Sequence, residues 1–246
     1  NIRLIAAQGK ADAGRFISLG ASPEQVEVTG SVKFDQQIPS GLVEKAALLR
    51  RQLGEERPVW IAASTHQGED EQILDAFQRL QRGYPDCLLI LVPRHPERFD
   101  RVAELCRQRG FSVVRRTEGV SCQQDTDIFL GDTLGELLLF YAASDVAFVG
   151  GSLVPTGGHN MLEPAALEKP VITGPHLFNF SEIASAMEEA GAAYRVDSAA
   201  QLAALLERLL SDPQQRDRMG SKGGQLVERN RGALQNLLVL LKRYLG

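Results

Sequence analysis

The sequence predicts an α/β domain built on a Rossmann-like, doubly wound parallel sheet. Short apolar runs alternate with segments of helical period along nearly the whole chain of 246 residues. The run 88–92 (LLILV) is apolar at every position, as in a parallel strand that helices cover on both faces. Alternation of this kind implies parallel strands joined by right-handed helical crossovers.

The first third of the chain alternates strands and helices around one segment that we interpret as a linker. Residues 30–40 mix turn formers with Pro39, which favours a connection rather than a regular element. The predicted elements are a strand at 2–7, a helix at 10–19, a strand at 27–29, the linker at 30–40, a helix at 42–53, a strand at 59–63 and a helix at 69–82.

The helix predicted at 69–82 has the clearest period in the chain. Its acidic first turn complements the positive end of the helix dipole, and its apolar residues recur at the spacing of one helical face. Ile73, Leu74, Phe77 and Leu80 lie on that apolar face, and Glu69, Asp70, Glu71 and Arg79 are predicted to lie on the opposite one.

The remainder of the chain repeats the alternation and ends in helices. No internal repeat or low-complexity stretch interrupts it. The predicted elements are a strand at 87–92, a helix at 96–108, strands at 112–115 and 127–130, a helix at 135–143, a strand at 146–149, a helix at 160–167, a strand at 171–173, a helix at 181–190, a strand at 193–196, and helices at 199–210, 213–230 and 233–245.

Composition excludes several classes of protein. Hydrophobic residues make up 43% and charged residues 24%, which is ordinary globular usage. A net charge of −4 disfavours a nucleic-acid-binding surface. The cysteines Cys87, Cys106 and Cys122 are too scattered for a disulfide scaffold or a zinc site, and we interpret Cys87 as a core residue. No apolar run approaches the ~20 residues of a membrane helix, so we expect a soluble, cytoplasmic segment. Its abrupt start within a strand predicts that it belongs to a longer protein.

Ligands of open α/β sheets bind beyond the carboxyl ends of the strands, where helix N-termini converge. Polar residues and glycines follow five of the predicted strands, and all four histidines of the chain, His66, His95, His159 and His176, lie among them. The stretch 150–158 lacks the Lys-Ser/Thr ending of a P-loop, and no G-x-G-x-x-G follows an early strand, which disfavours a P-loop ATPase or a nicotinamide dehydrogenase. These loops therefore predict a binding site of another kind.

The segment 157–163 has features of an anion site. Two glycines let a phosphate approach the backbone, and Asn160 is placed to begin a helix whose free N–H groups favour an anion. Glu163 could accept hydrogen bonds from the two hydroxyls of a ribose. The alternative is purely structural: a glycine turn, an N-cap and a favourable dipole partner. Together, at the end of a strand, these residues favour ligand binding.

Two further positions are candidates for binding an anion. Arg94 lies between Pro93 and Pro96, and a rigid loop would fix the direction of its guanidinium toward a phosphate or carboxylate; the alternative is a salt bridge to a neighbouring carboxylate. Gly135 and Glu136 could present backbone N–H groups to an anion or a base edge at the start of a helix. The alternative is a helix start with an acidic first-turn residue and no role in binding. The histidines lack the spacing of metal ligands, so we expect no metal and interpret them as hydrogen-bonding groups.

Five segments of the sequence, in this order, resemble the 3-deoxy-D-manno-octulosonic acid (Kdo) transferases. The resemblance covers essentially the whole chain. The segments are 63–69 (ASTHQGE), 93–99 (PRHPERF), 131–137 (GDTLGEL), 150–152 (GGS) with 157–160 (GGHN) and Glu163-Pro164, and 174–176 (GPH) with 178–180 (FNF).

The resemblance implies the GT-B fold, in which two Rossmann-like domains face each other across a cleft. Residues 1–36 would be the end of the acceptor domain and a linker, and residues 37–246 the C-terminal domain that binds the nucleotide-sugar donor. The final helix would tend to cross back to the first domain.

The implied reaction moves Kdo from CMP-Kdo to the lipid A precursor in lipopolysaccharide biosynthesis. It inverts the anomeric centre, needs no metal or other cofactor, and takes place at the cytoplasmic face of the inner membrane. The general base would be a carboxylate of the acceptor domain, so no catalytic residue is assigned in this chain, and the chain alone is expected to be inactive. By position, the donor would contact Pro93, Arg94, Gly135, Glu136, Leu137, Asn160, Met161, Leu162 and Glu163, with Ser152, Gly158 and His159 as less certain neighbours.

Two residues depart from the pattern of the family. Met161 stands where proline is common, and Thr156 where a basic residue is frequent. Proline would pre-set the start of the helix, so Met161 is expected to loosen that turn slightly.

Two other functions stay open on the sequence. Another GT-B enzyme that uses a UDP-sugar, a transferase or an epimerase, would place a glutamate like Glu163 on the ribose in the same way. A nucleotide-binding module without turnover is the other alternative. The loop Pro93-Arg94-His95-Pro96 favours the Kdo transferase over the first of these.

Overall fold

The computed structural model describes the backbone of residues 2–245 and the side chains of residues 2–243. The chain forms two compact units, Ile38–Gly224 and a smaller one that consists of Asn1–Gln37 and Gln225–Gly246. The predicted domain 37–246 thus includes residues that the structure groups with the smaller unit. Asn1 and Gly246, which the predicted domains include, lie outside the described residues. The assignment of these units to domains of a longer protein stays a prediction.

The smaller unit contains one parallel strand pair. Strand β1 (Ile5–Ala7) pairs with β2 (Val26–Val28) in parallel, with helix α1 (Lys10–Ser18) between them in the chain and α10 (Ala233–Leu245) at its end. The predicted strand at 2–7 is shorter than expected. No residue of α1 is buried.

The larger unit is a seven-stranded, all-parallel sheet, and it confirms the predicted α/β class. The strand order is β5-β6-β4-β3-β7-β8-β9. Its strands are β3 (Val59–Thr65), β4 (Leu88–Pro93), β5 (Val113–Arg115), β6 (Ile128–Leu130), β7 (Val146–Val149), β8 (Val171–Thr173) and β9 (Ala193–Arg195). Because β3 and β7 are adjacent but far apart in the chain, the winding direction reverses between them, and ligand sites of doubly wound sheets lie at such a point.

Helices flank this sheet along its length. They are α2 (Leu42–Leu53), α3 (Asp70–Leu80), α4 (Phe99–Gln108), α5 (Leu137–Ala143), α6 (Leu162–Ala166), α7 (Ser181–Glu189), α8 (Ala199–Ser211) and α9 (Pro213–Arg229), whose last residues belong to the smaller unit. No described helix combines the length and the apolar character that crossing a bilayer requires.

The sheet has a hydrophobic core on each of its two faces, because successive side chains of a strand point to opposite faces. In β3, Trp60 packs with α3 and α8 on one face, while Ile61 packs with α2 and α5 on the other. Cys87 belongs to the first core, as expected, and burial raises the pKa of its thiol to about 12.

The polar face predicted for the helix at 69–82 is wrong at its first two residues. Glu69 and Asp70 are both buried, although they precede an apolar face in the sequence. Partners in other segments satisfy their carboxylates: Thr65 and Arg98 donate to Asp70, and backbone N–H groups donate to Glu69. The pattern of one helix could not show these partners, because all of them lie outside it.

Two helices that the predicted site depends on are shorter than expected. Helix α5 begins at Leu137 instead of 135, and α6 begins at Leu162 instead of 160. The Oδ1 of Asn160 accepts a hydrogen bond from the N–H of Leu162 at 3.1 Å, which satisfies one of the free donors at the start of α6. Asn160 thus caps α6 with its side chain, two residues before the helix begins.

Candidate donor-binding cleft

A cleft of about 400 Å³ opens at the carboxyl edge of the sheet, within the larger unit. The ends of β3 and β4 and the loops after β6 and β7 contribute to it, so it lies at the reversal of winding. The lining residues are Ser64, Val92, Pro93, Arg94, Phe99, Thr133, Leu134, Gly135, Leu137, Tyr141, His159, Asn160, Glu163 and Phe180. Seven of the twelve residues predicted to contact a ligand are in this set: Pro93, Arg94, Gly135, Leu137, His159, Asn160 and Glu163.

Arg94 presents an uncommitted guanidinium to the cleft. Pro93 is the last residue of β4, and the N–H of Arg94 donates to the carbonyl of Thr65 at 3.0 Å, which fixes the backbone there. Its side chain is exposed, and in the described part of the chain its guanidinium makes no hydrogen bond or ion pair. The salt bridge that the sequence left open is therefore not formed among these residues.

The neighbouring Arg98, unlike Arg94, uses its guanidinium in contacts within the fold. It donates to the carbonyl of Thr65 at 2.5 Å and forms an ion pair with the buried carboxylate of Asp70. The two arginines lie four positions apart on the same loop, but only Arg94 lines the cleft. An anion entering the cleft thus meets one arginine that is free to bind it.

Asn160 and Glu163 face the cleft together. The amide nitrogen of Asn160 donates to Oε1 of Glu163 at 3.2 Å. Burial raises the pKa of the Glu163 carboxyl, and this hydrogen bond opposes the shift. The other carboxylate oxygen is not used in that bond, so the pair offers acceptor capacity to a ligand with hydroxyl groups.

Five predicted contact residues, Glu136 among them, do not line the cleft, and three of the five are core residues. Met161 and Leu162 are fully buried, so a ligand could reach only their backbone. The hydroxyl of Ser152 donates to the carbonyl of Val149 at 2.6 Å and accepts from the N–H of Gly174 at 2.8 Å. Ser152 is thus a structural bridge between the ends of β7 and β8.

Gly158 is the fourth of these residues, and its position is set by close packing. Its φ is +78°, and an added Cβ would lie 2.8 Å from a methyl carbon of Leu177. A side chain is excluded there both by conformation and by space. Its role is to shape the loop that carries His159.

The turn before α5 brings its backbone, and not its carboxylate, to the cleft. Gly135 lines the cleft at φ +80°, a conformation that favours glycine. Glu136, by contrast, accepts two hydrogen bonds from Arg116, at 3.0 and 2.8 Å, and a third from Thr133 at 2.6 Å. Arg116 holds the pKa of the Glu136 carboxyl below its usual value. The structure does not place the Glu136 side chain among the lining residues.

Glu69 supports the cleft from beneath, and the sequence reasoning missed it. Its carboxylate accepts four backbone N–H groups, from His66 at 3.1 Å and from the three consecutive residues Gly151, Ser152 and Leu153 at 2.7, 3.0 and 2.9 Å. Burial pushes the pKa of this carboxyl upward, and the four donors oppose that shift. Since donors fill the acceptor positions of both oxygens, the ionised form is the one that fits.

This contact ties the loop after β3 to the loop after β7. Gly150 lies at the same junction, and an added Cβ there would lie 2.7 Å from the carbonyl oxygen of Ser64 and 2.9 Å from Oε2 of Glu69. Ser64 itself has a φ of +57°, an uncommon value for a residue other than glycine. The signal available in the sequence was the segment 63–69, which ends in Glu69 just before a helix.

Three of the four histidines converge at the rim of the cleft. The Nε2 atoms of His66 and His159 are 2.7 Å apart and the ring centroids 5.0 Å apart, so the two rings meet head to head through these nitrogens. His95 meets His66 edge to face at 5.4 Å. Burial, with smaller contributions from nearby His66, Arg94 and His95, lowers the pKa of His159 to about 4. His176 is outside this cluster; its N–H donates to the carbonyl of Ser152.

Comparison with known proteins identifies the family of the chain. The model of a family described as glycosyl transferases group 1 matches residues 63–225. A second model, described as 3-deoxy-D-manno-octulosonic-acid transferase (kdotransferase), matches residues 1–36.

Several curated relatives carry the name 3-deoxy-D-manno-octulosonic acid transferase. The one from Haemophilus influenzae is 47% identical over 99% of this chain, and the one from Bordetella pertussis is 37% identical over 98%. The chain spans 57% and 56% of the length of these relatives.

Solved structures agree with the fold and the family. The C-terminal CMP-Kdo binding domain of WaaA from Acinetobacter baumannii is 37% identical, with a TM-score of 0.73 over 77% of this chain and 99% of that domain. Anabaena HepE in complex with UDP and glucose is 17% identical, with a TM-score of 0.59 over 98% of this chain and 62% of HepE, and shows the fold alone. The expected Rossmann-like α/β domain of a GT-B glycosyltransferase is thus confirmed, and the chain belongs to the group 1 glycosyl transferases as a relative of the 3-deoxy-D-manno-octulosonic acid transferases.

Proposed function

We propose that this chain is the donor-binding half of an inverting glycosyltransferase that moves Kdo from CMP-Kdo to a lipid A precursor in lipopolysaccharide biosynthesis. The names of its relatives support the transferase, and the name of the Acinetobacter domain supports CMP-Kdo as the donor. In this proposal residues 1–36 belong to the acceptor domain, and the complete enzyme acts at the cytoplasmic face of the inner membrane. The acceptor, the general base and the membrane contact would come from outside this chain, so the chain alone would not turn over.

The observation that carries the proposal is the free guanidinium of Arg94 in a cleft that also presents a carboxylate. An arginine binds a phosphate through charge-assisted hydrogen bonds, and a carboxylate such as that of Glu163 accepts hydrogen bonds from a ribose. We therefore assign the phosphate of CMP to Arg94 and the ribose to Glu163, with Asn160 holding that carboxylate in place. The backbone of Gly135 and Leu137 would lie along the nucleotide.

The contribution of this half to catalysis would be electrostatic. When the bond between Kdo and the phosphate breaks, negative charge grows on the CMP that leaves. A preorganised cation such as Arg94 stabilises that charge more strongly than it stabilises the bound donor, and this difference lowers the barrier. None of the twelve residues is assigned the proton transfer from the acceptor hydroxyl.

Calorimetric titration of the chain with CMP, UMP and UDP tests the proposal. We expect saturable binding of CMP, weaker binding of both uridine nucleotides, and loss of CMP binding in Arg94→Ala and Glu163→Ala. Arg107→Ala is the matched control, because Arg107 is exposed on α4 and does not line the cleft. A preference for UDP would place the protein with the enzymes that use UDP-sugars. Equal CMP binding by the wild type and both cleft variants would refute the assigned site.

A further inference from the structure

The cluster formed by His66, His95 and His159 is not explained by nucleotide binding through Arg94 and Glu163. Each histidine comes from a different place in the sequence: the loops after β3, β4 and β7. Only His159 lines the cleft, and His66 contacts it directly through the Nε2 atoms, 2.7 Å apart. The two rings are nearly parallel, with 10° between their planes. The His66–His159 pair therefore forms one hydrogen-bonded unit at the rim of the cleft.

This geometry limits how many protons the pair can carry. A hydrogen bond between two Nε2 atoms needs a proton on one of them and a lone pair on the other. One additional proton can be placed on the free Nδ1 of the ring that donates, and the hydrogen bond survives. A second additional proton would put hydrogens on both Nε2 atoms and break the contact. The pair can thus change its charge by one without coming apart.

The surroundings keep the pair neutral when the cleft holds no anion. Burial is the main cause that lowers the pKa of both His66 and His159, and His95, Arg94 and, for His66, Arg98 act in the same direction. No carboxylate contributes to either shift.

The carboxylates packed nearby are already used by other groups. Asp70 is paired with Arg98, Glu69 accepts the N–H of His66 and three N–H groups of the loop after β7, and Glu163 accepts from Asn160. Arg94 is left as a positive charge beside the pair, within the described residues. The pair itself therefore has no carboxylate partner among the described residues.

We propose that the His66–His159 pair is a second oxyanion subsite of the cleft, which gains one proton from solvent when an oxyanion of the donor binds beside it. The proposal rests on the proposed function, because it takes the occupant of the cleft to be a nucleotide-linked acidic sugar. Binding adds one N–H bond at the pair, and the proton comes from water or buffer. The oxyanion cancels the repulsion from Arg94 and provides the negative partner that the histidine pair lacks.

A donor of this class offers two oxyanions, the phosphate and the carboxylate of the sugar acid, and ligands that differ in these groups distinguish them. Cytidine carries neither, CMP carries the phosphate, and CMP-Kdo carries both. Proton uptake with CMP would assign the phosphate to the pair. Uptake that appears only with CMP-Kdo would assign the carboxylate.

The experiment is calorimetric titration at several pH values in buffers of different ionisation enthalpy, which counts the protons taken up per ligand bound. It compares the wild type with His66→Gln, His159→Gln and the control His176→Gln, which alters a histidine outside the cluster. Subtracting each variant from the wild type removes the proton that the phosphate of CMP itself exchanges. The wild type should take up about one proton more than His66→Gln or His159→Gln, and its affinity should rise roughly 10-fold from pH 7.5 to pH 6.

The sign follows from linkage, because a complex that holds more protons than the free chain is favoured as the pH falls. In the two cluster variants the part of this pH dependence that exceeds the ionisation of the phosphate itself should be lost, whereas His176→Gln should keep it. Since the chain contains only four histidines, the imidazole NMR signals of the wild type provide a second measurement that does not depend on the folding of any variant. At constant pH the signals of His66 and His159 should move toward the charged form as the ligand is added.

Three results would overturn the proposal. They are equal proton uptake in the wild type and the cluster variants, equal uptake with cytidine, and imidazole signals that stay neutral in the saturated complex. In each of these cases CMP binding that depends on Arg94 would leave the proposed function standing. Failure of CMP and CMP-Kdo to bind at all would instead contradict both.

Discussion

The two edges of the seven-stranded sheet hold cavities of similar size but opposite chemistry. At the amino edge, a cavity of about 450 Å³ is lined by Arg50 and one of about 500 Å³ by Arg57. At the carboxyl edge, the cleft of about 400 Å³ is lined by Arg94. Cavity volume therefore does not distinguish the functional edge from the other one.

The two edges differ in whether the guanidinium groups of their arginines already have hydrogen-bond partners within the fold. Arg57 donates to three carbonyl groups, at 2.7, 3.2 and 2.7 Å. Arg50 donates to three more carbonyls and to the carboxylate of Asp145 at 3.0 Å. Arg94 has no such partner among the described residues. An arginine whose donors are all used stabilises the fold, whereas one whose donors are free is available to a ligand.

The largest effect is expected at Glu69, a residue of the carboxyl edge whose carboxylate is fully used by hydrogen bonds within the fold. Glu69→Gln should lower the free energy of unfolding by about 3–5 kcal/mol, because the amide would turn two donors toward N–H groups that need an acceptor. Denaturant unfolding of the variant and the wild type measures this loss. A loss below about 1 kcal/mol would mean that Glu69 does not hold the loop after β7.

Arg50→Met tests whether the amino edge is structural. The variant leaves Asp145 without its guanidinium partner and three carbonyls without a donor, so we expect a loss of about 2–3 kcal/mol in unfolding free energy. The affinity of the folded protein for CMP should stay unchanged. A weaker affinity without any loss of stability would reverse the functions that we assign to the two edges.

Arg94→Met should show the opposite behaviour. We expect the affinity for CMP to fall about 10- to 100-fold, since a charge-assisted contact to phosphate is lost. The unfolding free energy should change by no more than about 0.5 kcal/mol, because the guanidinium has no partner among the described residues. Calorimetry and denaturant unfolding on the same sample separate the two effects; destabilisation of more than about 1 kcal/mol would show a structural role.

Glu136→Gln should have the smallest effect and sharpens the boundary of the site. The pair Glu136–Arg116 is partly exposed on both sides, so its loss should cost no more than about 1 kcal/mol of stability. The affinity for CMP should change less than about threefold, because the carboxylate serves Arg116 and the cleft meets the backbone of the turn. A tenfold loss of affinity would instead place the Glu136 side chain on the ligand.

Part of the candidate site could be predicted from the sequence because it follows from the order of elements. Loops after parallel strands must meet at one edge, so Arg94, Asn160 and Glu163 were expected to lie together, and all three line the cleft. The residues that were misplaced are those whose side chains are used locally. Ser152 and Met161 lie in the expected loops but turn away from the cleft, into hydrogen bonds or core packing.

The sequence by itself thus determined the α/β class, the order of nearly every strand and helix, and the edge at which a ligand would bind. Periodicity and turn residues encode these properties locally, within a few positions of the chain. Only the tertiary structure decided which polar groups find partners. Glu69 meets Gly151 across 82 positions of sequence, and His66 meets His159 across 93. Such contacts depend on how distant loops pack, which no local pattern specifies, and they separate the free Arg94 from the arginines that hold the fold together.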